Sequence, residues 1–223
     1  MRPAWSDGMI LRSGTSDETV IDEVKEYLPL GIQPGDVVLD VGAHIGCFAR
    51  MALHEGASKV ICVEPEGENF SYLERNVIGQ TLIRAALSRE QLVELYVNQG
   101  RGTSTHTVFP VTGREKVVVP GVTLAYLDVH YRPQRVKIDC EGAELQVGLD
   151  SYVFSDLVRG LSIEFHVATG RRSCVEEERE EAMHAIIANV EGQGFVPFKS
   201  YDLKAQRTYF GNNLRYYVVT WNR

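Results

Sequence analysis

Four side chains in two apolar runs have the types and spacing for proton chemistry. VKIDCEGAEL (136–145) puts Lys137 and Asp139 two residues apart, and SIEFH (162–166) does the same for Glu164 and His166. Residues two apart in a strand share a face. If the two runs are neighbouring strands, an ammonium, two carboxylates and an imidazole converge at their carboxyl ends. Such a group can take the proton of an attacking hydroxyl, with Asp139 or His166 as base. Lys137 can keep Asp139 ionised or stabilise a developing alkoxide. Plainer roles stand beside these. Lys137 and Glu164 can form a buried ion pair, kept because an unpaired charge is costly. His166 can be a satisfied structural histidine. Glu141 and Glu144 fall where a helix is predicted to begin, and there they complement its dipole. Asp139, Glu164 and His166 also have ligand chemistry for a divalent ion such as Mg2+. Their spacing is not diagnostic, so no metal site is expected.

A second set lies earlier. LDVGAHIG (39–46) carries Asp40, Gly42, Ala43, His44 and Gly46, and VEP (63–65) ends on Glu64 and Pro65. Glycines allow a tight turn and a close backbone approach to a ligand. A dinucleotide fingerprint needs G-x-G-x-x-G, but counted from Gly42 the other two positions hold His44 and Cys47. That disfavours a nicotinamide-dependent oxidoreductase. What remains is D-x-G-x-x-x-G. Its acid suits a cationic amine, directly or through water. Glu64, at the end of the next strand, can accept from both ribose hydroxyls of a nucleoside. Together these sites suit a nucleoside joined to an amino acid without a pyrophosphate: S-adenosylmethionine.

These residues need a scaffold. TSDETVIDEVKEYL (15–28) reads as a helix with Thr15 as N-cap, Glu18 closing a capping box, and Val20, Ile21, Val24, Tyr27 and Leu28 on one face. VVLDVG, KVICVEP and TLIRAALS read as strands, separated by the helices CFARMALHEG and ENFSYLERNV. Residues 92–121 break the rhythm and read as a β-extension. RVKID then predicts a strand, GAELQVGL a helix, GLSIEFH a strand and VEEEREEAMHAIIANVEGQG a long helix. FVPFKSYD and LRYYVVTW close the chain as two strands with no helix between them. Alternating β and α predicts an α/β fold, doubly wound around a mostly parallel sheet. The chain is expected to be a single domain over 1–223, with an N-terminal helical segment over 1–35.

Hydrophobic residues make up 44% of the 223 and charged residues 24%, ordinary values for a globular chain with a large core. The net charge of −7 argues against broad, charge-driven nucleic-acid binding, so no nucleic acid is expected as partner. Cys47, Cys62, Cys140 and Cys174 form no C-x-x-C pair, which predicts reduced thiols and a cytoplasmic setting. No signal peptide or membrane span is expected.

The chain resembles the FkbM-type methyltransferases, a branch of the class I S-adenosylmethionine-dependent fold. The resemblance runs through RSGTSD (12–17), VVLDVGAHIG (37–46), VICVEP (60–65), AALS (85–88), KIDCEGAEL (137–145) and SIEFH (162–166). It implies a seven-stranded, Rossmann-like sheet with an antiparallel last strand. It also implies cofactor contacts at Asp40, Gly42, Gly46 and Glu64, with Ala86 near the adenine. Ala43, His44 and Pro65 border these positions. His44 is placed to meet the cofactor carboxylate, and Asp139 lies over the methyl-donor side. The GRGTST loop (100–105) resembles a family loop that approaches the cofactor. The implied reaction is O-methylation of a hydroxyl on a small molecule, sugar or natural product. DCEG stands where methyltransferases of amide or nucleobase amines often carry an NPPY-like motif, which favours oxygen. Methylation of a small-molecule nitrogen, or a non-catalytic nucleoside-binding module, are the alternatives. The acceptor, a small molecule or glycan, would be selected by residues 1–16, by 92–121 and by the loop HVATGRRSC (166–174), whose Arg171 and Arg172 read as solvated.

Overall fold

The computed structural model describes residues 3–98, 100, 103–169, 174–198 and 214–223. Arg171 and Arg172 lie outside these. The first helix, α1 (Asp17–Glu23), passes directly into a 3-10 helix, Val24–Leu30, which contains Pro29. The expected capping box does not form. The Thr15 hydroxyl donates to the Arg12 carbonyl at 2.9 Å, and Ser16 caps α1 without a side-chain bond. Proline and the left-handed Gly31 end the helical segment.

Two βα units and a third strand follow: β1 (Val37–Val41), α2 (Cys47–His54), β2 (Lys59–Val63), α3 (Gly67–Asn76) and β3 (Thr81–Ile83). TLIRAALS is two strands rather than one. After β3, Ala86–Leu87 forms β4, which leaves the main sheet and pairs with β6 (Glu115–Val122). β5 (Leu92–Val97) pairs antiparallel with β6, so the expected extension is a three-stranded sheet in the order β4-β6-β5. A helix that the sequence reading did not name, α4 (Leu124–Tyr131), follows, with the Thr123 hydroxyl accepting from the Tyr126 N–H. Then come β7 (Arg135–Ile138), β8 (Gly160–Thr169), α5 (Cys174–Gly192), β9 (Val196–Pro197) and β10 (Leu214–Asn222). The helix expected over GAELQVGL is a single 3-10 turn, Ala143–Leu145. Gly142 and Gly148 take φ of 105° and 79°, outside the right-handed helical region, and bound it on both sides.

The main sheet has seven strands in the order β3-β2-β1-β7-β8-β10-β9. Only β10 runs antiparallel to its neighbours, as the expected architecture requires. The central strands are buried on both sides, which explains their unbroken apolar runs. Leu39, Ile61, Ile138 and Phe165 pack on one face with Met183 and Val190 of α5. Val38, Val60 and Cys62 pack on the other with Phe48 and Met51 of α2 and with Tyr27 and Leu30. Chain order reverses between β1 and β7, so a crevice opens beyond their carboxyl ends. Cys47, Cys62 and Cys140 are free thiols. Among the described residues no helix is long and apolar enough to cross a membrane.

Candidate active site

The crevice holds a cleft with about 980 Å³ of empty space, counting its open mouth. One wall is the turn after β1. Gly42 takes φ 78°, and a Cβ there would stand 1.7 Å from the Asp139 carbonyl oxygen. Only glycine lets the ends of β1 and β7 lie so close. Gly46 takes φ 93°, and a Cβ on it would meet Val77 Cγ2 at 2.4 Å, so its place is between α2 and α3 rather than on the cleft wall. Ala43, His44, Glu64, Pro65 and Ala86 line the cleft with Gly42. Asp40 lies one layer deeper. It is fully buried, and its carboxylate is 3.3 Å from the Lys137 ammonium. Neither of its oxygens has an aligned hydrogen bond, so the pair is held by charge alone.

Glu64 accepts from the backbone N–H groups of His44 and Glu66, each at 2.9 Å. Burial raises its carboxyl to about 7 against these bonds. At neutral pH it therefore stands near its midpoint.

A buried network ties the N-terminal segment to this wall. Arg12 donates three bonds to Asp17, from its backbone N–H, Nε and Nη2, at 2.8, 3.0 and 2.9 Å. Its Nη2 also reaches Asn69 Oδ1 of α3 at 2.7 Å. Thr103 donates to Asp17 at 2.8 Å. Burial pushes the Asp17 carboxyl up, but Arg12 and Thr103 together hold it below the usual range. His44 Nε2 faces Arg12 Nη2 at 3.3 Å. Both Nη2 hydrogens already go to Asp17 and Asn69, and Nε2 also lies 3.2 Å from the Thr103 hydroxyl, whose hydrogen goes to Asp17. Nδ1 is buried and has no hydrogen-bond partner among the described residues. Burial, with Arg12 adding to it, lowers His44 to about 3, so the ring is neutral.

The cluster expected at the ends of β7 and β8 adjoins this wall. Lys137 donates to the Gly42 carbonyl at 2.7 Å and stands 3.3 Å from Asp139 as well as from Asp40. Its close ion pairs are thus with these two acids and not with Glu164. Burial opposes its charge, but Asp139 and Asp40 raise it above the usual ammonium range. Burial likewise raises Asp139, and Lys137 followed by His166 pulls it below the usual range. His166 Nε2 lies 3.4 Å from Glu164, 3.6 Å from Glu141 and 4.0 Å from Asp139. Burial works against its charge, and the surrounding acids, Glu141 first, raise it well above the usual imidazole value. Glu141, in a left-handed turn at φ 52°, is pushed up to about 8 by burial despite His166.

Glu144 does not serve a helix dipole. It is fully buried, accepts from the His166 and Gly142 N–H groups at 2.9 Å each, and stands 3.2 Å from His166 Nδ1. The structure thus brings Lys137, Asp139, Glu164 and His166 together. Ligand atoms of Asp139, Glu164 and His166 lie within 4.8 Å of one another and could hold a divalent ion, a juxtaposition their sequence spacing does not reveal. Three participants escaped the sequence reading. Tyr27 was counted among the apolar residues of a helix face, yet its hydroxyl reaches Glu164 at 2.6 Å and Asp139 at 3.1 Å. Arg12 and Asp17 were visible only as part of RSGTSD.

With this geometry in view, the chain was compared with known proteins. The family model described as Methyltransferase FkbM domain matches residues 40–197, well over half of the chain. None of the curated proteins matches. Solved structures show more distant likeness. The precorrin-6Y C5,15-methyltransferase of Geobacter metallireducens is 14% identical with a TM-score of 0.49, over 96% of this chain and 90% of that one. TYW2 of M. jannaschii, solved with AdoMet, is 16% identical with a TM-score of 0.49, over 97% and 79%. Methyltransferase FkbM from Methylobacillus flagellatus is 11% identical with a TM-score of 0.45, over 85% of this chain and 44% of that one.

Proposed function

This chain belongs to the FkbM methyltransferase family and is an S-adenosylmethionine-dependent methyltransferase; we propose that it methylates a hydroxyl oxygen on a small molecule or glycan, as a single domain acting in the cytoplasm. The observation that carries the acceptor reading is the convergence of Lys137, Asp139 and Glu164 in the cleft lining beside the glycine turn, with His166 against Glu164.

The residues present fit the cofactor. Gly42 leaves a cradle that a Cβ would fill, Glu64 offers a carboxylate on the wall, and His44 Nδ1 is a buried nitrogen without a hydrogen-bond partner among the described residues. Glu64 would accept from the ribose hydroxyls and His44 would meet the amino-acid carboxylate. Pro65 and Ala86 would flank the base. Asp40 would act from beneath, through Lys137 or water. When bound, S-adenosylmethionine supplies a methyl group already activated by its sulfonium.

The chain's own contribution is alignment and proton removal. Asp139 is held ionised by Lys137 and lines the cleft. It would take the acceptor's proton as the oxygen–carbon bond forms and the sulfur–carbon bond breaks. His166 and Glu164 would stand beside the neutral carboxylic acid that results. The net charge of −7 favours a small acceptor over a nucleic acid. Free thiols at Cys47, Cys62 and Cys140 suit a reducing compartment.

The test has two stages. Calorimetry with S-adenosylhomocysteine should show binding that Glu64→Ala weakens at least tenfold, about the worth of one charge-assisted bond. Labelled methyl transfer should then be sought on panels of sugars, hydroxylated metabolites, small amines and RNA. Turnover on the hydroxyl panel alone supports the proposal; turnover on RNA or amines alone overturns it.

A further inference from the structure

The hydroxyl of Tyr27 faces two carboxylates, Glu164 Oε2 at 2.6 Å and Asp139 Oδ2 at 3.1 Å. A phenol has one hydrogen to give. The two acids therefore cannot both receive it, and whichever does not faces a lone pair. Three observations decide the recipient. The Glu164 contact is in the short range of O–H···O⁻ bonds, while the Asp139 contact is longer. Asp139 Oδ2 already has the Lys137 ammonium at 3.3 Å. Among the described residues Glu164 Oε2 has no cation so close, its imidazole neighbour lying on Oε1.

We infer that Tyr27 is a positioning residue for the acceptor-side base: it donates its hydrogen to Glu164 and presents its oxygen to Asp139. The inference deepens the proposed methyl transfer and rests on it for its use, though not for the hydrogen bond itself. The consequence is a directional chain. While Asp139 is ionised, Lys137 holds Oδ2. Once Asp139 has taken a proton from the acceptor, its new O–H can donate to the Tyr27 oxygen, which already donates to Glu164. The proton moves from acceptor oxygen to Asp139, and no other bond changes along the chain. The Tyr27 oxygen thus offers an acceptor to the protonated Asp139 that the reaction creates. The groups facing Asp139 are Lys137 of β7, Glu164 and His166 of β8, Asp40 of β1 through Lys137, Glu141 of the following turn, and Tyr27.

Tyr27 comes from the N-terminal segment, before the family-matched residues begin at 40. Its ring is fixed edge-on against Phe48 of α2, with centroids 5.5 Å apart, so the hydroxyl has a set position rather than a sweeping one.

The test is proton NMR of the full chain at low temperature. A strongly hydrogen-bonded phenolic proton should appear downfield and vanish in Tyr27→Phe, which keeps the ring. Glu164→Gln should move that signal upfield, because the charged acceptor is gone. Asp139→Asn should leave it nearly in place. A signal that moves with Asp139→Asn and not with Glu164→Gln, or no signal in folded protein, would overturn the inference. Circular dichroism of each variant establishes folding. Calorimetry with S-adenosylhomocysteine tests the methyltransferase reading separately. Failure there with the expected NMR result would remove the use and leave the hydrogen bond.

Discussion

Glu144 grips His166 from two sides: one carboxylate oxygen accepts the His166 backbone N–H at 2.9 Å and stands 3.2 Å from its Nδ1. The second oxygen accepts the Gly142 N–H at 2.9 Å. One buried acid thus fixes the turn after β7 to the end of β8.

Glu144→Ala should therefore destabilise the protein by about 3 kcal/mol, because buried donors lose a charged partner. A residue that only complemented a helix dipole would cost about 0.5 kcal/mol. Urea unfolding separates the two values.

Gly42→Ala should be more damaging than Gly46→Ala. At Gly42 the added methyl meets a backbone carbonyl that cannot turn aside, whereas at Gly46 it meets the side chains of Val77 and Leu73. Both positions also carry the strain of a positive φ. Losses of about 4 and about 2 kcal/mol are expected in thermal or urea unfolding. Equal losses would mean that β1 and β7 can separate at little cost.

Glu64 should make both stability and cofactor binding depend on pH. Its carboxyl holds a proton up to about pH 7 in the fold, against an ordinary value of 4.5. The folded state therefore binds the proton more tightly than the unfolded one, and stability falls as pH rises between these values. Ribose hydroxyls would favour the ionised form, so affinity for S-adenosylhomocysteine should rise as pH passes through 7 and level off above it. Glu64→Gln should flatten both trends, in melting curves and in calorimetry from pH 5 to 8.5.

Arg12→Ala should expose the N-terminal segment. It removes two side-chain bonds from Asp17, which is fully buried and would lose its guanidinium partner. The backbone bond can persist, but a loss of about 3 kcal/mol is expected. Limited proteolysis should cut the variant within the first 30 residues faster than the wild type.

Asp139→Asn should separate binding from chemistry. Affinity for S-adenosylhomocysteine should change little, while methyl transfer to an acceptor from the hydroxyl panel should fall at least about 100-fold. An equal fall in both would assign Asp139 to cofactor binding instead.

The sequence by itself determined the βα alternation, the glycine turn and the pairs at the ends of β7 and β8. These are local signals: apolar runs of strand length, glycines that must take positive φ, and a two-residue period that fixes which side chains share a face. It also determined the antiparallel last strand, through the resemblance to the FkbM family. It misled where distant partners compete with local propensity. GAELQVGL has helical composition, yet Gly142 and Gly148 and the pull of His166 on Glu144 hold it to one turn. Thr15 and Glu18 spell a capping box, yet Asp17 is drawn to Arg12 and the box stays open.

Only the tertiary structure decided which charges meet. Lys137 could have paired with Glu164, but the parallel register sets Asp40 beside it on β1, and the ammonium bridges Asp40 and Asp139. Tyr27 joins Glu164 across 137 residues of chain. No period in the sequence encodes that contact. It exists because the N-terminal segment packs over β1 and α2 and brings a phenol to the strand ends.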